Sequence, residues 1–383
     1  MKTGIIIGAG IGGLTTAIAL AQKGITTTIF EQAEELKDIG AGIGVAPNGL
    51  NVFDKLGFAD EVIASGKELT EISVVDTNQK PISIIDGNRI AEKHKFNTVA
   101  IHRGRLQSIL KEKLAYGQII CGKKFVSYSQ TNDKVSVVFN DGSCYETDFL
   151  IIADGIKSNG RLQMNKDVSL RYSGQTCWRF IATFDFPESE NGKMYEIWSN
   201  KKGLRVGYSQ VNEREVYVFI TNHERPGGTD DLLDIKSKLT ELCSEFPEIV
   251  QQMIAQVPAH KIIRTDLYDF KPISNWVDNN VALLGDAAHA TTPNLGQGAC
   301  QAIEDAYVIA DQLSQEISIE RALLRYQTIR INKAKYITNT SWLFARMTNT
   351  TGVAKWLIKT ALRMTLASTN EKQLDKVYST KYL

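Results

Sequence analysis

Gly4-Ile5-Ile6-Ile7-Gly8-Ala9-Gly10-Ile11-Gly12-Gly13 opens the chain after three residues. Gly4 to Ile7 is a short apolar run of the kind found in parallel strands buried on both faces. Glycines at 8, 10 and 13 then follow in G-x-G-x-x-G spacing. Leu14, Ala17, Ile18 and Ala21 recur at helical spacing, and Gly24 closes that helix after Lys23. Thr26 to Phe30 is β-branched and reads as a second strand. The whole is a βαβ unit. In such a turn Gly8 permits the tight bend, Gly10 lets a pyrophosphate reach the backbone and Gly13 allows close helix–strand packing. Ile11 and Gly12 complete the turn, and the free amides of the helix N-terminus point at the phosphates. Glu31 follows the second strand, 23 residues after Gly8. A carboxylate there accepts hydrogen bonds from ribose hydroxyls and disfavours a 2′-phosphate. These residues imply an α/β protein with a Rossmann-like domain, and leave FAD and NAD as alternatives.

Two later segments bear on that choice. Ile151-Ile152-Ala153-Asp154-Gly155 ends an apolar strand, with Ser158 and Arg161 beyond it. Leu283-Leu284-Gly285-Asp286-Ala287-Ala288-His289 ends another, followed by Pro293, Gly296, Gln297, Gly298 and Ala299. An acid placed just past a buried strand, in a glycine-bearing turn, suits a ribityl or ribose hydroxyl at the carboxyl edge of a sheet. A helix starting near Gln297 directs its amides at a flavin pyrimidine, where negative charge develops on reduction.

GAGIGG (8–13), DGIKSNGR (154–161) and GDAAHATTPNLGQGACQAIEDA (285–306) together resemble the three FAD motifs of the class A flavin monooxygenases, the para-hydroxybenzoate and salicylate hydroxylase group. His102-Arg103-Gly104-Arg105-Leu106-Gln107 is similar to the R-x-x-L-Q segment of that family, in which the first arginine contacts the cofactor, implying Arg103 here. The resemblance spans about residues 1–330. It implies FAD as cofactor, NADH or NADPH as a transient donor, and O₂ delivered through a flavin C4a-hydroperoxide to a small aromatic or heteroaromatic substrate. The implied fold is a para-hydroxybenzoate hydroxylase-like FAD domain with an inserted antiparallel sheet and a C-terminal helical segment. We divide the chain as 1–72, 98–170 and 265–330 for FAD, 73–97 and 171–264 for substrate, and 331–383 for the C-terminal helices.

The middle of the chain fits the inserted sheet. Trp178–Phe184, Met194–Trp198, Leu204–Tyr208 and Val216–Thr221 alternate like strands, and Leu232–Phe246 reads as a helix. Ile72–Asp76 and Ile82–Ile85, with the polar run 88–97, read as strands leaving the nucleotide domain. Lys134–Phe139 and Cys144–Thr147 form a hairpin through Asp141-Gly142. On the sheet, Arg205 and Tyr217 are the substrate-side candidates for catalysis. An arginine orients an anion, and a tyrosine stacks or donates a hydrogen bond. LRVGYS (204–209) and REVYVFIT (214–221) are similar to flavin-dependent urate hydroxylases. The competing reading makes Arg205 a surface ion-pair partner and Tyr217 a half-buried sheet residue. His289 is assigned a structural role beside the flavin, and His102 a place near the adenosine.

Composition narrows the function classes. Lys plus Arg number 44 and Asp plus Glu 43, a net charge of +1, which gives no footprint for nucleic acid. Five cysteines without a C-x-x-C pair suggest free thiols and no metal site. With neither a signal-peptide pattern nor a membrane span, the expected location is the cytoplasm, as monomer or homodimer. In the C-terminal helix Trp356, Leu357, Ala361 and Met364 oppose Lys355, Lys359 and Arg363. Packing across the domains is preferred to a place on a membrane surface. Rival functions are a tetracycline-type drug-inactivating hydroxylase, a flavin reductase acting on isoprenoid chains and a non-catalytic flavin-binding sensor.

Overall fold

Ile5, Ile6 and Ile7 lie at the centre of a parallel sheet, fully covered on both faces. The computed structural model describes residues 2–36, 41–115, 117–131, 134–315, 318–365 and 367–382. Thr3–Ile7 is flanked by Thr26–Phe30 on one side and Phe149–Ile152 on the other, both parallel to it. The full order of this six-stranded sheet is Val277–Asp278, Val281–Leu283, Phe149–Ile152, Thr3–Ile7, Thr26–Phe30, Ile119–Ile120. Helix Ile11–Gln22 leaves the first strand through the glycine turn and packs beside helix Gly298–Gln315. Their approach is close because Gly12 has no side chain: a Cβ there would meet Ala302 Cβ at 3.0 Å. One large core joins this sheet to its helices.

The second layer is a seven-stranded sheet in the order Ile263–Phe270, Leu170–Thr183, Glu215–His223, Arg205–Gln210, Lys193–Trp198, Glu71–Asp76, Pro81–Asp86. Its neighbours are antiparallel except Lys193–Trp198 with Glu71–Asp76. The strands alternate. Trp178, Phe180, Val206, Val218 and Ile220 bury one face against helices Ile235–Leu242 and Glu248–Gln256. The opposite face carries Arg179, Arg205, Tyr217 and Phe219, because successive strand residues point to opposite sides. A small sheet of Gly42–Val45, Thr98–His102 and Lys67–Leu69 lies between the two parts of the chain.

Three sequence readings change. Ile263–Phe270, divided above at residue 265, is a single strand, the outer strand of the seven-stranded sheet, held by its ladder to Leu170–Thr183. The polar run read as extended chain contains helix Gly87–His94. Asp86 caps it by accepting from the amides of Asn88 and Arg89, a local signal stronger than the absence of apolar periodicity. The single helix expected over 232–246 is the shorter Ile235–Leu242, and a second helix, Glu248–Gln256, follows Pro247. Beyond the sheets, Ile319–Thr348 runs 30 residues and is followed by Gly352–Arg363 and Ala367–Tyr378.

Candidate active site

Gly8, Glu31, Asp154 and Asp286 all lie one to three residues beyond the carboxyl ends of parallel strands. Neighbouring strands thus bring sequence-distant residues to one sheet edge, the edge where α/β sheets bind ligands. Gly8 has φ +100°, and a Cβ there would fall 2.4 Å from Ala153 O. A Cβ on Gly13 would sit 1.9 Å from Gly8 O. Gly10, by contrast, has nothing within 4 Å of the Cβ position. The turn is therefore closed from within and open on the side facing out. Ile11 is buried as the first residue of the helix. Glu31 accepts from the amides of Ala9 (2.8 Å) and Ala33 (2.9 Å), so its carboxylate is fixed beside the glycine turn. Two accepted bonds leave a carboxylate further lone pairs for ribose hydroxyls.

Arg103 is exposed at the start of helix Arg103–Glu112. That helix is tied to the glycine turn by Gln107 Nε2, which donates to Ala9 O at 2.9 Å. His102 is half-buried immediately before Arg103. Its Nδ1 accepts from the Gly104 amide at 3.1 Å and caps the helix. Asp154 Oδ2 accepts from the Asn159 amide at 3.1 Å, while Oδ1 is buried with no partner among the described residues. Burial raises the Asp154 carboxyl above its ordinary value, against the hydrogen bonds from Ser158 and Asn159. An unpartnered buried acceptor at a cofactor edge is the feature a ribityl or ribose hydroxyl would satisfy. Asp286 is exposed just beyond the strand end. The protein mass around it raises its pKa, opposed by His289, Arg103 and Arg161.

Arg161, noted in the second motif but not proposed for the site, joins these turns. It is buried, donates to Ala287 O (3.3 Å) and Ile156 O (2.5 Å), and stacks over Phe270 at 4.3 Å. Pro293 and Gly296 are exposed in the loop that follows Asp286. Gly296 is left-handed, with φ +60°. Gly298 and Ala299 begin the next helix half-buried. Gly298 lies beside the Asp286 carboxylate, where a Cβ would make ordinary contact with Oδ1 at 3.8 Å. Behind it Asn48 Nδ2 donates to Gln297 Oε1 at 3.0 Å and to Glu304 Oε1. These features fit FAD: an open glycine cradle, a ribose acid, and two acids beyond strand ends.

His289 takes the structural place assigned to it. Its Nε2 lies 2.5 Å from Asp305 Oδ2, and its ring packs on Trp276. Asp305 also accepts from Arg330 Nε at 2.7 Å. Arg330 further donates to Glu304 at 2.5 Å and to Gln301 Oε1 at 2.8 Å, and Lys333 reaches Glu304 at 2.8 Å. Burial would raise the Asp305 carboxyl, yet His289 and Arg330 together hold it at about 2.

On the facing sheet, Arg205 is buried rather than superficial. It donates to Glu196 Oε1 (2.8 Å), Asn294 Oδ1 (2.8 Å) and Thr221 Oγ1 (3.3 Å). Asn294 belongs to the Pro293–Leu295 turn of the third motif, so Arg205 ties the large sheet to the flavin loop. Neither Glu196 nor Asn294 was singled out from sequence. The clue for Glu196 was its place in phase with Met194 and Trp198; Asn294 lay in the quoted motif, which was read for its backbone. Tyr217 packs on Gly42, where a Cβ would meet its Cγ at 2.4 Å. It shares a hydrogen bond with Arg179, and burial pushes its phenol up against the pull of that arginine. Arg205 and Tyr217 share one face but do not meet. Tyr217 pairs with Ser209, which puts it four residues, ~13 Å, along the sheet from Arg205. Phe219 lies between them over Gly207, where a Cβ would strike its ring at 2.1 Å.

Among the described residues no group of three His, Cys, Asp or Glu could hold a metal ion, and all five cysteines are free. No helix of the described chain is long and apolar enough to cross a membrane.

The fold and this edge define a flavoprotein oxidoreductase of the aromatic-hydroxylase kind. The chain belongs to the FAD binding domain family, whose pattern matches residues 2–341. It is 37% identical over 337 residues, 87% of each chain, to the aurachin C monooxygenase/isomerase of Stigmatella aurantiaca. It is 31% identical to the 2-heptyl-3-hydroxy-4(1H)-quinolone synthase of Pseudomonas aeruginosa, covering 90% of this chain and 89% of that one. The crystal structure of Klebsiella pneumoniae HpxO with FAD and uric acid matches with a TM-score of 0.91 at 27% identity, covering 98% of this chain and 96% of that one.

Proposed function

We propose that this enzyme uses NADH or NADPH and O₂ to hydroxylate a small heteroaromatic substrate that carries a ring carbonyl and no obligatory carboxylate. The observation that carries the reading is the buried Arg205–Glu196 pair, 2.8 Å apart. Its charge is already met within the protein, so a carboxylate substrate would have to compete with Glu196. A guanidinium has five N–H donors; three are engaged, and the remaining two suit a neutral carbonyl. Phe219, between Arg205 and Tyr217, offers flat apolar surface beside it. One relative is named for a quinolone and another was crystallised with uric acid, both ring-carbonyl compounds, which accords with this class.

In this reading Gly8, Gly10, Ile11, Gly12 and Gly13 hold the pyrophosphate, and Glu31 the ribose. Asp154, Asp286 and Arg103 bind the rest of FAD, with Pro293, Gly296, Gly298 and Ala299 shaping the loop against its ring. FAD supplies hydride uptake and oxygen activation. Arg205 positions the substrate carbonyl and holds the Asn294 loop in place. Tyr217 stays neutral and orients the ring. The facing sheet keeps water from the site. The large sheet, with Ile263–Phe270, forms the substrate side.

The test measures NADH and NADPH oxidation in air by the holoprotein with 2-alkyl-4-quinolones, urate, salicylate, 3-hydroxybenzoate, kynurenine and a tetracycline. Stimulation by a quinolone or urate, with one oxygen gained by mass spectrometry, supports the proposal. Turnover of benzoates alone would overturn the substrate class, and stimulation without oxygen transfer would overturn hydroxylation itself.

A further inference from the structure

Helix Gly352–Arg363 is turned inside out. Its lysines face inward: Lys355 is 2% exposed and Lys359 5%. Lys355 Nζ donates to Lys201 O at 2.6 Å, and Lys359 Nζ to Trp198 O at 3.1 Å and Asn200 Oδ1 at 2.9 Å. Arg363, one further turn along the same side, reaches Pro81 O and Asp76. The apolar residues face out. Val353 is 74% exposed, Trp356 61%, Leu357 55% and Met364 77%. Their spacing of three, one and seven residues keeps them on one side of a helix.

Placing lysines inside and a tryptophan outside opposes the ordinary preference of both. An isolated exposed leucine needs no explanation, but a contiguous apolar stripe of four on one helix does. The charge around the stripe says what covers it. Residues 321–370 contain five Arg and four Lys and not one Asp or Glu, but Arg330 and Lys333 pair with Glu304, Lys355 and Lys359 face inward and Arg363 pairs with Asp76, so it is the exposed cations that bear on this face. Arg346 is exposed one turn before the helix, Lys201 and Lys202 are exposed in the turn that receives Lys355, and Lys80 adjoins the Pro81 carbonyl that receives Arg363. Cations thus rim an apolar centre that carries an aromatic ring. The helix has 12 residues, about 18 Å, too short to span a bilayer and suited to lie in its interface.

We propose that the outward face of Gly352–Arg363 docks the enzyme on an anionic lipid bilayer, with Val353, Trp356, Leu357 and Met364 inserted among the acyl chains. The rimming cations then meet the lipid headgroups, an attraction that salt weakens. The inward lysines lock the helix to the turn before Arg205, so the docked face lies beside the substrate sheet. This inference is independent of the substrate class proposed above.

The experiment sediments FAD-loaded protein with phosphatidylcholine vesicles, with and without phosphatidylglycerol. Wild type is expected to pellet with the anionic vesicles and to be released by salt. Trp356→Glu with Leu357→Glu should lower partition by about ten-fold or more while keeping FAD and activity on a soluble substrate. Val353→Glu with Met364→Glu, also outward, repeats the test should the first pair express poorly. Wild type left in the supernatant with anionic vesicles overturns the proposal, as does equal binding to neutral ones. A shift from dimer to monomer in the variant without vesicles also overturns it, since a second copy would then be the occupant.

Discussion

Removing the Arg205 side chain would take the cation from a half-buried Glu196, leaving it the Trp198 indole N–H, and release Asn294 from the sheet. Arg205→Ala is therefore expected to keep FAD but to lose at least about ten-fold in kcat/KM and to lower the fraction of NAD(P)H oxidation that yields product. Arg205→Lys should restore little, because one ammonium cannot span Glu196, Asn294 and Thr221 together. Product yield per NAD(P)H unchanged in both variants would take Arg205 out of the site. Asp286→Ala should purify with much less flavin, read from the ratio of flavin to protein absorbance, whereas a fully yellow variant would end its cofactor assignment. Both positions were legible in the sequence as candidates, Asp286 through a three-motif pattern and Arg205 through a short strand. It did not reveal what Arg205 touches. Partners on separate strands and loops, such as Glu196 and Asn294, depend on register and crossover, which no local pattern encodes.

At the scale of elements, two buried charge arrangements respond to pH in the same sense but in separate windows and for different reasons. The Lys355 ammonium is pushed down to about 8 by burial, with Lys359 and Arg205 adding to the effect. A folded value below the unfolded one penalises the charged form, so the penalty is full below about pH 8 and fades as the solution approaches the unfolded lysine value of about 10.4. Thermal midpoints should therefore rise over that window in wild type and rise less in Lys355→Met. Asp305 has the same sign at acid pH, but there it is the charged form that the fold favours. Its folded value of about 2 gives stability present above the unfolded carboxyl value of about 3.9 and lost as pH falls toward 2. Arg330→Met should cost roughly 3–5 kcal/mol, seen as a lower denaturation midpoint, because Glu304 and Asp305 would be buried without it. Element types were legible where a period ran long, as in the helix after Gly13. The helix at Gly87–His94 was missed because its signal is a cap, Asp86, and not a stripe. The orientation of Gly352–Arg363 was missed for a different reason: its two faces were plain, but periodicity does not say which face turns inward.

Across the whole molecule, thiol chemistry reports on integrity. Cys144 is exposed and Cys121 half-buried, while Cys177, Cys243 and Cys300 are buried. Burial pushes the Cys243 and Cys300 thiols up to about 12, far from reactive thiolates at neutral pH. A maleimide is expected to label Cys144 quickly and the three buried cysteines only on unfolding. Fast labelling of Cys300 in the holoprotein would mean that the helix after the third motif opens readily. The overall plan was readable because each FAD motif follows a strand of one parallel sheet. The outer strand Ile263–Phe270 was not, since its partner, Leu170–Thr183, lies about ninety residues away, and long-range antiparallel pairing leaves no mark on either strand alone.

The Arg330 cluster also constrains ancestry. Arg330 joins the buried carboxylates of Glu304 and Asp305, and His289 joins Asp305, so that exchanging the central Arg330 leaves two buried acids short of a partner. A well-packed apolar set of similar volume could be as stable, but every single-step route to it crosses a weakened intermediate. Descendants of this sequence should therefore keep the quartet intact or replace several members at once, so that these positions change in concert and seldom alone.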